Sequence, residues 1–103
     1  MKFLIQNPDD TTVTIFRRTG YTFQREENGE MSFVRALASA GYPRFHCYVK
    51  SHPEGLVCNI HLDQKRETYG RSVRHHGEYE EDGALADEVK RIGQFIKGLA
   101  RQA

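Results

Sequence analysis

Apolar and polar residues alternate most regularly in the middle of the chain. From Arg44 to Lys50, Phe45, Cys47 and Val49 alternate with His46, Tyr48 and Lys50. From Leu56 to Asp63, Leu56, Cys58, Ile60 and Leu62 alternate with Val57, Asn59, His61 and Asp63. A period of two marks strands with one buried face. His52-Pro53-Glu54-Gly55 between them reads as a four-residue hairpin loop. A slip of one residue would turn every side chain over, so the two faces must match. That sets Val49 opposite Cys58, Cys47 opposite Ile60 and Phe45 opposite Leu62. The same register puts His46 opposite His61, Tyr48 opposite Asn59 and Arg44 opposite Asp63. One face is then apolar, and the other carries two histidines side by side.

A second hairpin is predicted upstream. Tyr21 to Glu26 alternates, Asn28-Gly29 is a strong turn signal because both residues tolerate positive φ, and Met31 to Leu37 forms the return strand. Ala38 to Pro43 breaks it, and a short helix over Ser32 to Ala40 is the alternative. Lys2 to Gln6 is a short apolar stretch suited to an edge strand. Asn7, Pro8 and the acids Asp9 and Asp10 look like a helix start, while Arg17, Arg18 and Gly20 look like its end. These caps predict a helix from Pro8 to about Thr19, against the β-branched run Thr11 to Ile15, which prefers strand. Near the C-terminus Asp82 reads as the cap of a helix from Gly83 to about Arg101. Its stripe is Leu85, Val89, Ile92, Ile96 and Leu99, spaced alternately by four and three.

The predicted fold class is α+β: an antiparallel sheet of about four strands (two hairpins) packed on one face by an N-terminal and a C-terminal helix. The 103 residues suit a single domain with one core. With no Trp, the five Tyr and six Phe carry much of that core. The short apolar start predicts neither a signal peptide nor a membrane span. Two cysteines make no disulfide framework, so a cytoplasmic protein with reduced thiols is expected.

Fifteen Lys and Arg against fourteen Asp and Glu leave no global basic excess, so any nucleic-acid site must be a local patch. Between the second hairpin and the last helix, Gln64 to Asp82 is long, polar and glycine-punctuated, a length that usually signals function or disorder. Its basic residues Lys65, Arg66, Arg71 and Arg74, with Tyr69 interleaved, could track a phosphate backbone together with Arg44 and Lys50. Tyr48 is placed for stacking on the open sheet face, and His75 and His76 extend the basic stretch. Glu78, Glu80, Glu81 and Asp82 follow at once and could neutralise it internally.

All five histidines lie between His46 and His76. His46 and His61 are the candidate catalytic pair, since imidazole titrates near neutrality; exposed strands also tolerate histidine without function. His61-x-Asp63 with His75, His76 and Glu78 offers metal-ligand chemistry, but no spacing here is diagnostic, and no metal or cofactor is implied. Cys47 and Cys58 are expected as diagonal neighbours in the core rather than as a redox pair.

Tyr42-Pro43-Arg44-Phe45-His46-Cys47-Tyr48, Asn59-Ile60-His61-Leu62-Asp63-Gln64-Lys65 and His76-Gly77-Glu78-Tyr79 together resemble a group of small bacterial proteins with no assigned activity. The order of helix, Gly20-Tyr21, strand, Phe45-His46-Cys47-Tyr48, His52-Pro53-Glu54-Gly55, strand and helix is similar to HicA-type toxins. That resemblance implies a double-stranded-RNA-binding-like fold and RNA cleavage by a strand histidine, here His46. Arg44-Phe45-His46 stands where that family has Gly-Ser-His. The expected function is RNA binding on the open sheet face. A protein-interaction module is the alternative, and a histidine-dependent ribonuclease or metal-dependent hydrolase a further one.

Overall fold

The computed structural model describes residues 1–64, 78–96 and 99–101, with side chains described for 1–64 and 82–96. The elements are β1 (Lys2–Gln6), α1 (Thr12–Arg18), β2 (Thr22–Glu27), β3 (Glu30–Ala36), β4 (Arg44–His52), β5 (Gly55–Asp63), α2 (Glu78–Gly93) and β6 (Leu99–Arg101). The strands form one antiparallel sheet in the order β2-β3-β4-β5-β1-β6. Four strands come from the two predicted hairpins. The other two come from the chain's start and from the segment read as the end of the last helix. β1 is therefore an inner strand, between β5 and β6, rather than an edge.

The β4–β5 register is the one that face matching demands, from Arg44↔Asp63 to His52↔Gly55. Pairing runs further than expected, leaving only Pro53 and Glu54 unpaired at the turn. Asn28 and Gly29, both at positive φ (53° and 82°), turn β2 into β3. Residues 32–36 continue as strand, so the helical alternative there is excluded.

α1 forms despite its β-branched residues, but it starts four residues later than the caps implied. Thr11 is the N-cap, its Oγ1 accepting from Thr14 N at 3.2 Å. Asn7 takes a left-handed turn (φ 50°), and Asp9 and Asp10 stay outside the helix, where both pair with Arg18. Seven residues are too few for an independent helix. Docking holds it: Ile15 and Phe16 are fully buried, and the Phe16 ring stacks on Phe33 at 4.7 Å.

α2 begins at Glu78, with Asp82 inside it rather than capping it, and ends at Gly93. Closing turns from Gln94 N to Arg91 O and Phe95 N to Ile92 O follow. Ile96 is buried beyond the helix, and Leu99 lies on β6, register partner of Ile5.

Both helices cover the same sheet face. Phe3, Ile5, Phe33, Phe45, Cys47, Val49, Leu56, Cys58 and Ile60 from the strands join Leu85, Val89, Ile92 and Ile96 in one buried cluster, with Leu62 packed against it. Burying these side chains at roughly 25 cal/mol per Å² is the main stabilising contribution. Burial raises the Cys47 thiol pKa, which keeps it protonated and unreactive. None of the helices among the described residues is long and apolar enough to cross a membrane.

Candidate functional site

The sheet face turned away from the helices carries Ser32 from β3, Arg44, His46, Tyr48 and Lys50 from β4, and Asn59, His61 and Asp63 from β5. The hairpin register brings them together. Leu4, whose register partners are Val57 and Ala100, is buried on this side too, so the face is not uniformly polar.

His46 is the centre of this group. It was expected on an open surface, but it is only 8% exposed. Its direct partners are Val34 on β3 and His61 on β5, yet both ring nitrogens reach diagonally. Nε2 lies 2.7 Å from Ser32 Oγ, two residues before Val34. Nδ1 lies 3.2 Å from Asp63 Oδ2, two residues after His61. Diagonal neighbours on adjacent strands are within reach of long and aromatic side chains. Asp63 is held in turn by Arg44 Nε at 3.1 Å.

A carboxylate only accepts, so Nδ1 carries a proton toward Asp63. In the neutral ring Nε2 is then a lone-pair acceptor aimed at the Ser32 hydroxyl. Burial lowers the His46 pKa from its ordinary value, against the opposing hydrogen bond and charge of Asp63, so the neutral ring is favoured near neutrality. Ser32 Oγ also lies 3.2 Å from Gln24 Oε1 on β2. With the ring protonated, Nε2–H donates to Ser32, and Ser32 donates to Gln24. With the ring neutral, Ser32 donates to His46, and the Gln24 amide can turn to donate. All three groups are satisfied in either state.

Tyr48 stacks on His46 at a centroid distance of 4.4 Å and 25°, and meets the exposed His61 edge-on at 5.8 Å. These three rings form an aromatic strip across β4 and β5, the two middle strands of the polar face. Lys50 is exposed at one end. Arg44 is committed to Asp63 and lies over the Tyr42 ring at 4.6 Å, so its charge is partly spent within the molecule. Lys65, Arg66, Tyr69, Arg71, Arg74, His75 and His76 lie outside the described residues. Among the described residues no group of three or more His, Cys, Asp and Glu could hold a metal ion.

Nothing in the sequence singles out Ser32 or Gln24, and Asp63 reads there as a metal ligand and as the partner of Arg44. The β4–β5 register followed from a tight turn between two alternating strands. The β3–β4 register did not, because residues 37–43 between them form no compact turn. Nothing in the sequence alone said that Ser32 falls opposite Tyr48.

Comparison with protein-family models, curated proteins and solved structures finds no match.

Proposed function

We propose that the polar sheet face binds single-stranded nucleic acid, RNA in particular. The observation that supports this reading is the His46–Tyr48–His61 strip on the middle strands, with His61 exposed and Lys50 beside it. Bases stack on aromatic rings regardless of sequence, and lysines on the same surface favour the phosphates. Asp63 directly precedes Gln64 and the basic residues Lys65, Arg66, Arg71 and Arg74. These supply the local positive charge that the overall composition lacks.

Fluorescence anisotropy with a labelled RNA oligonucleotide tests the reading. Wild-type protein is expected to bind at low salt and to weaken as salt rises. Tyr48→Ala should lose about 1–3 kcal/mol of affinity, the worth of one stacked base. Replacing Lys65, Arg66, Arg71 and Arg74 with Gln should flatten the salt dependence. Absence of binding by wild-type protein at low salt would overturn the proposal and favour the protein-interaction alternative.

A further inference from the structure

We propose that Ser32, His46 and Asp63 form a nucleophile, base and positioning group for acyl transfer, with carboxylic esters as the substrate class. The inference does not depend on the nucleic-acid reading. Its geometry is that of hydrolytic relays: serine oxygen to one imidazole nitrogen at 2.7 Å, and the other nitrogen to a carboxylate at 3.2 Å. Each group comes from a different strand of a rigid sheet, which fixes their separations. Arg44 holds the carboxylate and so orients the imidazole through Asp63.

In the reaction, Ser32 Oγ bonds to the ester carbonyl carbon, and His46 Nε2 takes the hydroxyl proton. The carbon–oxygen bond to the alcohol breaks, and that proton leaves with the alcohol. Water then gives a proton to Nε2 and its oxygen to the acyl carbon. The bond from the acyl carbon to Ser32 Oγ breaks, the carboxylic acid departs, and the proton on Nε2 returns to Ser32. Asp63 remains ionised throughout and stabilises the imidazolium that forms.

Ser32 is only 4% exposed, and its cover on the β2 side is Gln24. Gln24 is an exposed residue of an outer strand, at the register shift between Phe23 and Arg25. Its side chain can swing aside without disturbing the core, so Gln24 acts as a gate over the hydroxyl.

The test is covalent labelling of the intact folded protein with a fluorophosphonate probe, which transfers its phosphonyl group to an activated serine with loss of fluoride. Peptide mass spectrometry locates the adduct. A single adduct on Ser32 is expected. Its rate should rise with pH and level off with a midpoint below that of an ordinary histidine, about 6.5. His46→Gln should slow labelling by about a hundredfold or more and remove that pH dependence. Gln24→Ala should speed it. Circular dichroism checks that each variant is folded, and where one is not, the site and pH profile of the wild-type adduct decide alone. Folded wild-type protein that stays unlabelled from about pH 6 to about pH 9, labels elsewhere, or labels on Ser32 with no such midpoint overturns the proposal.

Discussion

Glu88 is a carboxylate with 3% exposure that keeps its charge. Burial pushes its pKa up, but hydrogen bonds from Arg91, Arg35 and Tyr21 outweigh that and hold it at about 2. Tyr21 donates at 2.7 Å, and both guanidiniums lie within 3.0 Å. Arg91 also donates to the Thr19 carbonyl at the end of α1, so one acid ties α2 to β3 and to the α1–β2 connection. A folded-state pKa below the unfolded value means stability that is complete above about 4.5 and drains away as pH falls toward about 2. Thermal melts between those limits should therefore show a steep acid slope, and Glu88→Gln should flatten it. The same substitution should cost about 1–3 kcal/mol at neutral pH by weakening the hydrogen bonds. An unchanged slope in the variant would place the acid sensitivity elsewhere. This knot was not legible in the sequence. Glu88 sits beside the predicted apolar stripe, and Arg35 falls on the core face of β3, where a charge is least expected. The register of His46 with His61 was legible, because a short turn between two alternating strands leaves one choice; the diagonal partners Ser32 and Asp63 were not.

Elements were easier to recognise than their limits. α1 was visible from its flanks, but Thr11 captured the cap role that Asn7 and Pro8 suggested, since its hydroxyl reaches the Thr14 amide. The apolar stripe of α2 ran on through Ile96 and Leu99, because residues beyond a helix can keep helical spacing by coincidence. Gly93 was the stop signal that the stripe obscured. Gly55 shows how a single backbone position can govern an element. It starts β5 at φ 141° and pairs with Gln6, and a Cβ there would run into the Ile5 carbonyl. Gly55→Ala should displace β1 from β5 and cost several kcal/mol, about the range of the larger single-residue effects. A denaturant midpoint close to wild type would show that β1 yields without loss. Gly29→Ala, where a Cβ meets no neighbouring atom, is the control for the positive-φ strain alone (φ 82°).

At the scale of the molecule, the helices divide the sheet's two faces between different tasks. The helix side holds the aromatic and aliphatic cluster, and the other side holds the histidines, Ser32 and Asp63. α1 carries the chain from β1 to the far side of the sheet, and α2 connects β5 to β6 on the other side of β1. Local pattern showed the hairpins but not this threading, because nothing in Lys2–Gln6 or Leu99–Arg101 says which strand each will join. The two borders of the sheet are blunted in different ways. β6 is three residues long. β2 has a register shift next to Arg25, and Glu26 and Glu27 follow in an exposed strand. Short length, a bulge and charge are each poor templates for another strand. A solution of this protein, concentrated and held at neutral pH, should therefore resist stacking into fibrils. Replacing Arg25, Glu26 and Glu27 together with Thr should remove that protection, and the variant should scatter light and bind thioflavin where the wild type stays clear.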